Sequence, residues 1–263
     1  MKGHNHTGVH SIDFYAYSSK MKNLNPVLKV IFSIITLLIC IVADNIYVSA
    51  FIVVTMGMII VIKGGMKFHD YCGVLTIPAV FILLGSVAIA AGISKNLVGQ
   101  WNINLYLFNI YFSNESILKA LNVIMKAFGA ISAMYMMILT TNSCEIISVF
   151  KKLHMPNIII DLMNMIYRFI FILLDVHGNM KNSAESRLGY VDFKTSCYSF
   201  GHTAGNLLIV SLKKANAYYD AMESRCYDGG MEFLEEPKNI KKSHILWMAV
   251  YIFILVGISV VVR

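Results

Sequence analysis

Hydrophobic residues in this chain fall into long uninterrupted blocks rather than into alternating or one-sided patterns. Four blocks are free of charged residues and of similar length: 45–62, 71–94, 127–144 and 245–262. A fifth, 27–43, carries Lys29 near its start. A helix of about 20 residues crosses a hydrocarbon core of roughly 30 Å. The pattern predicts an all-α polytopic membrane protein with about five transmembrane helices, and Lys29 is expected to reach out to the lipid headgroups.

Two further segments do not follow this pattern. The stretch 101–112 is short and holds several asparagines, so it is either a sixth span or, as the polar residues favour, an interfacial or re-entrant segment. The first 17 residues lack the apolar core and small-residue cleavage site of a secretory signal. We therefore expect the N-terminus to remain on the chain.

Composition and charge support the membrane assignment. The chain is 57% hydrophobic and 14% charged, against about 25% charged residues in soluble domains. Its net charge of +7 is concentrated before the first block, after the second and within 142–242, whereas the first loop holds Asp44 and no Lys or Arg. Basic residues stay on the cytoplasmic side of a membrane. We expect a multi-pass plasma-membrane protein with its N-terminus and 142–242 in the cytoplasm, and no nucleic-acid partner.

The segment 142–242 is helical in pattern, which divides the chain into a membrane region (1–141), a cytoplasmic coupling region (142–242) and a C-terminal span (243–263). The first long helix begins after Pro156 and is apolar nearly all round up to Asp175. A second, polar helix is expected from about Thr203 to Arg225. The Gly229-Gly230 pair is expected to end it in the left-handed conformation.

A short motif recurs at the ends of these two helices. Glu-Ser-Arg occupies 185–187 and again 223–225. Arginine near a helix C-terminus interacts favourably with the helix dipole, by about 0.3–1 kcal/mol, but this does not explain why the motif repeats. Small neighbours also leave both arginines prominent. The candidate site residues are Ala184, Ser186, Arg187 and Gly189 in the first motif, and Ala221, Ser224, Arg225 and Gly229 in the second.

No residue pattern of catalysis or cofactor binding occurs in the sequence. Phosphate-binding loops, dinucleotide-binding glycine patterns and zinc-protease or serine-hydrolase motifs are all missing, so we expect neither an enzyme nor a cofactor. The five cysteines are scattered, which favours free thiols. His4, His6 and His10 either contact a metal weakly or have no such role, and we predict no metal site.

These residues resemble the transmembrane T component of energy-coupling factor transporters, in its cobalt-type CbiQ branch. The similarity covers nearly the whole chain. It lies in 23–29 (Asn-Leu-Asn-Pro-Val-Leu-Lys), 139–141, 151–156, 167–171, 187–190 and 221–230. In that family two coupling helices end in Ala-Arg-Gly-like motifs. This chain has serine before each arginine, and Leu188 or Cys226 after it.

The resemblance implies a non-catalytic coupling subunit of an ATP-driven importer. Arg187 and Arg225 are expected to dock into two cytoplasmic ATPase subunits. The apolar helix before them is expected to contact a small membrane substrate-binding subunit through Met163, Ile166, Tyr167, Phe169 and Ile170. The resemblance implies cobalt uptake for cobalamin synthesis, with nickel or a vitamin as alternative cargo. A stand-alone channel or carrier and a membrane enzyme remain rival hypotheses.

Overall fold

A computed structural model describes residues 9–90, 92–94, 101–105, 108–112, 114–230, 238 and 242–261, with side chains described within 13–89, 116–230, 238 and 242–261. The chain divides into two units. We call Met1–Ile146 together with Pro237–Arg263 the bundle unit, and Ile147–Glu236 the hairpin unit. Each is described by itself.

The described part of the chain is mainly helical. In the bundle unit and across its boundary the helices are α1 (Val9–Ser18), α2 (Pro26–Ala43), α3 (Ile46–Met58), α4 (Phe68–Ala90), α5 (Asn114–Thr140) and α6 (Ser143–Lys152). They are followed by α7 (Asn157–Ser186), α8 (Phe193–Glu223) and α9 (Lys242–Val261). A π-helical turn at Ile59–Lys63 extends α3, and a short 3-10 helix occupies Lys20–Asn23.

The prediction of an all-α polytopic membrane protein is confirmed. Six helices of the described residues are long and apolar enough to cross a bilayer: Pro26–Ala43, Ile46–Lys63, Phe68–Ile89, Ser116–Thr140, Asn157–Ser186 and Lys242–Val261. Five of them include the predicted blocks in whole or in large part. The sixth is α7, which the sequence assigns to the cytoplasmic region. It meets the same criteria because its apolar stretch contains few charged residues.

Two of the charge-free blocks differ in extent from the helices that contain them. The helix that contains most of the block 127–144 begins earlier, at Asn114, so Lys119 and Lys126 lie within it. Lysine is a good helix former, so the charges end the apolar block but not the helix. The helix that contains most of the block 71–94 ends at Ala90, and residues 92–94 form a β-strand.

A small antiparallel sheet connects α4 and α5. Its strands are β1 (Gly92–Ser94), β2 (Trp101–Leu105) and β3 (Phe108–Phe112), in the order β1-β3-β2. Trp101 pairs with Phe112, and Leu105 with Phe108. A strand needs about 9–11 residues to cross a bilayer, so the five-residue strands of 101–112 do not span it. The alternative that 101–112 forms a sixth helical span is therefore wrong.

Helix α5 packs against α2, α3 and α4 to form the core of the bundle unit. Val48, Ile52 and Met56 of α3 are fully buried there. Gly129 of α5 is needed for this packing, since a Cβ at that position would lie 2.7 Å from the Cys40 sulfur. Cores pack at close to crystal density, so such contacts fix the relative position of helices.

The prediction that Lys29 reaches the headgroups was wrong. Its side chain is 2% exposed. The amine donates hydrogen bonds to the Thr140 carbonyl at 2.7 Å and to a carboxylate oxygen of Glu145 at 3.2 Å. The other oxygen of Glu145 accepts a hydrogen bond from Lys238. A buried ammonium requires such partners, and they come from segments more than 100 residues away.

Candidate coupling surface

The hairpin unit is built on two long antiparallel helices. Arg168 of α7 donates a hydrogen bond to the Tyr218 hydroxyl of α8 at 2.6 Å. At the other end the chain turns through Gly189, where a Cβ would lie 2.7 Å from the Ser199 hydroxyl oxygen. Glycine is the residue that permits this approach.

The predicted start of α8 near Thr203 was wrong. The helix begins at Phe193, with Asp192 as its N-cap, and it includes Gly201 and Gly205. A glycine inside a helix costs about 1 kcal/mol relative to alanine, which weakens the helix without ending it. Both glycines lie on an open face of α8, where an added Cβ would meet no atom of the described chain within 4 Å.

Both Glu-Ser-Arg motifs adopt the same helix-ending structure. In the first, the Gly189 amide donates to the Ala184 carbonyl at 2.8 Å, and the Leu188 amide to Glu185 at 3.0 Å. The second repeats this pattern, with the Tyr227 amide bonded to Met222 at 3.2 Å and the Cys226 amide to Glu223 at 3.0 Å. These are the two hydrogen bonds of a Schellman cap. The sequence repeat is thus also a structural repeat.

The residue after each arginine has a left-handed backbone. Leu188 has φ 59° and Cys226 has φ 60°. The predicted use of the Gly229-Gly230 pair as the cap of α8 was wrong, because Cys226 takes the left-handed cap position; Gly229 also has a positive φ of 98°, but farther along the chain. Glycine is the usual residue at this position, so the sequence alone does not indicate that leucine and cysteine occupy it.

Arg187 and Arg225 are both exposed. Within the described residues neither arginine forms an ion pair. Their neighbours Ser186 and Ser224 turn back onto their own helices, donating hydrogen bonds to the carbonyls of Asn182 and Ala221. Both guanidinium groups are therefore free to bind carboxylates outside the hairpin unit.

The two arginines lie at opposite ends of the hairpin. Arg187 follows the end of α7, and Arg225 follows the end of α8. Helix α8 has 31 residues, which at 1.5 Å each separates its ends by about 45 Å. A separation of this size allows two separate proteins to bind, one at each arginine.

One contact at the second motif was not predicted. The Tyr227 hydroxyl donates a hydrogen bond to Asp161, a carboxylate that is 2% exposed near the start of α7. Burial, followed by the charge of Asp161 and this hydrogen bond, raises the pKa of Tyr227 above its usual value. The contact ties the segment beside Arg225 to α7. No local sequence pattern indicates it, because the two residues are 66 positions apart.

A groove of about 690 Å³ lies between α7 and α8 beside the first motif. Its walls include Asn179, Ser183, Tyr198 and His202. Arg187 and Ala184 stand at the same groove. The first motif therefore combines a free guanidinium with a groove of mixed polar and apolar lining.

The five residues predicted to contact the substrate-binding subunit all lie on α7, and they differ in exposure: two are exposed and three are half-buried. Ile166 and Ile170 are exposed and continue a stripe that begins with Ile158 and Leu162. Residues four apart share a helix face. Met163 and Tyr167 are half-buried. Phe169 packs edge-on against Tyr218 of α8, with ring centroids 5.4 Å apart, and so supports the hairpin itself.

Comparison with known proteins gives a family for this chain. A family model described as cobalt transport protein, CbiQ, matches residues 17–235. The chain belongs to the CbiQ family. The matched range contains both Schellman caps, helices α7 and α8, and five of the six long apolar helices in full; only α9 lies outside it. CbiQ membership and these helices together make it a multi-pass membrane protein of a cobalt transport family.

Individual relatives of this chain match it over different lengths. An uncharacterised protein, MJ1089, of Methanocaldococcus jannaschii is 31% identical over 93% of this chain and 91% of its own length. The putative fused cobalt transport protein CbiMQ of Methanocorpusculum labreanum is 30% identical over 93% of this chain, but over 41% of its own. The cobalt transport protein CbiQ of Salmonella typhimurium is 24% identical over 60% of this chain and 71% of its own.

Proposed function

We propose that this chain is the transmembrane coupling subunit of an energy-coupling factor importer for cobalt. Two cytoplasmic ATPases bind Arg187 and Arg225, and a small membrane subunit that binds the substrate contacts α7. ATP binding and hydrolysis move the two arginines, and the rigid hairpin transmits this movement. The chain itself carries no catalytic group in this scheme.

The observation that supports this proposal most directly is the pair of matching helix ends. Each presents an exposed arginine on the same Schellman cap, and each arginine lacks an ion pair within the described residues. A rigid backbone around a free guanidinium favours charge-assisted, bidentate binding of a carboxylate. The separation of about 45 Å along α8 suits two motor subunits rather than one.

The exposed stripe on α7 supports a second protein contact. Ile166 and Ile170 are 52% and 42% exposed in the described structure, and such contiguous apolar surface marks a protein or membrane contact. We assign the substrate-binding subunit to this stripe, with Met163 and Tyr167 at its margin. Phe169 contributes indirectly, by holding α7 against α8.

The division of labour along the chain follows from this scheme. Residues 1–141 and 243–263 form the membrane region, and 142–242 form the cytoplasmic coupling region of a plasma-membrane protein. The retention of basic residues on the cytoplasmic side supports this orientation. Cobalt is the cargo that family membership favours, and uptake of labelled Co²⁺ in competition with Ni²⁺ tests it.

Exchange of each arginine for glutamate tests the docking role. The complex is co-expressed with its neighbouring ATPases and substrate-binding subunit, and purified through a tag on this chain. Removing one partner of a desolvated charge pair costs about 2–5 kcal/mol. Arg187→Glu and Arg225→Glu are therefore expected to lower ATPase recovery and cobalt uptake at least tenfold, while the amount of chain in the membrane stays the same.

Lys213→Glu is the matched control, because Lys213 is an exposed cation on the same hairpin and lies away from both caps. We expect this variant to keep recovery and uptake within twofold of the unmodified chain. Undiminished complex and transport in both arginine variants would contradict the proposal. Cobalt uptake by the purified chain alone in liposomes would favour the stand-alone carrier instead.

A further inference from the structure

The bundle unit contains a cavity of about 320 Å³ between α2, α9 and the π-helical turn at Ile59–Lys63. Phe32 and Tyr251 form part of its wall, with ring centroids 5.2 Å apart. The Tyr251 hydroxyl is already hydrogen-bonded to Thr55 at 2.7 Å, so it presents an apolar ring to the cavity. Ligand pockets generally measure about 300–1,000 Å³, and this one is large enough for part of a ligand.

Polar and apolar groups are separated along the depth of the cavity. Lys63 and His244 line it at one end, where the π-helical turn ends and α9 begins. Tyr251 lies seven residues farther along α9 than His244, or about 10 Å deeper. Phe32 packs against Tyr251 at that depth, and Met136 also lines the cavity. The cavity is thus cationic at its mouth and apolar below.

The two basic residues at the mouth are available to a ligand. Within the described part of the chain neither Lys63 nor His244 ion-pairs with a carboxylate. Lys29 also lines the cavity, but Glu145 offsets its charge. A lysine ammonium and an imidazole N–H are both donors to phosphate oxygens. The mouth therefore favours an anion.

The mouth of the cavity lies at the ends of two apolar helices, which is where a membrane-spanning helix meets the lipid headgroups. Lys63 stands at the end of one apolar helix and His244 in the first turn of another. Trp247, which also lines the cavity, is 70% exposed on α9. Tryptophan is enriched at the level of lipid headgroups, and basic pockets between transmembrane helices bind anionic headgroups.

We propose that this cavity binds an anionic phospholipid. Its phosphate contacts Lys63 and His244, and the upper part of one acyl chain packs against Phe32 and Tyr251. The lipid fills the space between α2 and α9, and so holds the last helix against the bundle. This proposal does not depend on the ATPases or on the cargo.

Native mass spectrometry of the full chain in mild detergent tests the site. The chain is mixed with phosphatidylglycerol or with phosphatidylcholine of the same acyl composition, and bound lipid is counted. We expect phosphatidylglycerol to be retained preferentially. A basic residue near the membrane surface contributes about 1 kcal/mol, so Lys63→Gln is expected to weaken phosphatidylglycerol binding about fivefold. His244→Gln should weaken it further in the double variant.

Lys67→Gln is the matched control, because Lys67 is an exposed lysine close in sequence that does not line the cavity. It should change phosphatidylglycerol binding less than twofold. Leu28→Trp, which adds bulk to the cavity wall, should reduce binding of both lipids. Inorganic phosphate should not displace the bound lipid, because the acyl chain contributes to its affinity.

Three results would overturn the proposal. The first is equal retention of phosphatidylglycerol and phosphatidylcholine, and the second is equal loss in Lys67→Gln and Lys63→Gln. The third is a purified transporter complex in which a partner's helix crosslinks to Trp247 and no phospholipid is retained, which would make the cavity a protein contact.

Discussion

The bundle unit and the hairpin unit use helices of comparable length in different ways. In the bundle, Val48, Ile52 and Met56 are fully buried, and even a lysine, Lys29, is enclosed with its counter-ion Glu145. In the described hairpin, by contrast, α7 and α8 bury only Ile160, Asp161 and Thr203. One unit is specified by its interior. The other is specified by the groups it presents at its ends and on its open faces.

This contrast predicts that the same kind of substitution has different consequences in the two units. Changes inside the bundle should lower the stability of the chain. Changes at the hairpin ends should leave folding intact and affect partner binding, as expected for Arg187 and Arg225. The following predictions test that distinction, from the largest expected effect to the smallest.

Glu145→Gln should have the largest effect on stability. It leaves the ammonium of Lys29 buried without its counter-ion, and breaking a buried pair in this way costs about 3–5 kcal/mol. We expect a loss of about 3 kcal/mol in the free energy of unfolding, measured by denaturation in detergent micelles. Asp44→Asn is the matched control. Its ion pair with Lys126 is exposed, so the loss should stay below about 1 kcal/mol. Equal losses would show that burial of Lys29 does not matter.

Gly129→Ala should lower stability by about 1–3 kcal/mol, the usual cost of overpacking a core. The added methyl group would lie 2.7 Å from the Cys40 sulfur and 3.4 Å from the Ser49 carbonyl oxygen. Gly85→Ala is the control, since its methyl group would meet no described atom within 4 Å. Alanine favours a helix, so this variant should unfold at the same temperature or a higher one. A neutral Gly129→Ala would mean that α5 can move away from α2.

Leu188→Gly should have a smaller effect of opposite sign. Leucine with φ 59° is strained, and the left-handed conformation costs an L-residue about 1–2 kcal/mol. Glycine should therefore stabilise the cap by about 1 kcal/mol, seen as slower hydrogen exchange of the Gly189 amide. Leu212→Gly, in the interior of α8, should destabilise by about 1 kcal/mol. Faster exchange in Leu188→Gly would show that the leucine side chain, rather than its backbone, holds the cap.

A feature of this fold could be predicted from the sequence when neighbouring residues alone determine it. The apolar blocks predicted five of the six long apolar helices, because a run of apolar residues is itself the cause of membrane insertion. The Glu-Ser-Arg repeat indicates two equivalent helix ends, and both ends form the same cap because its hydrogen bonds join residues at most five positions apart. Helix α8 begins at Phe193, ten residues before the predicted start at Thr203, because the residues around Gly201 sustain a helix that a glycine weakens without ending.

The sequence by itself determined the membrane class, the two long helices of the hairpin and the two arginines at their ends. Only the tertiary structure decided that Lys29 turns inward to Glu145, that Leu188 and Cys226 adopt left-handed conformations, and that Tyr227 reaches Asp161. The physical reason is range. Hydrophobicity and helix periodicity act over a few neighbouring residues, whereas a buried charge or hydroxyl is satisfied by whichever distant group the fold brings to it.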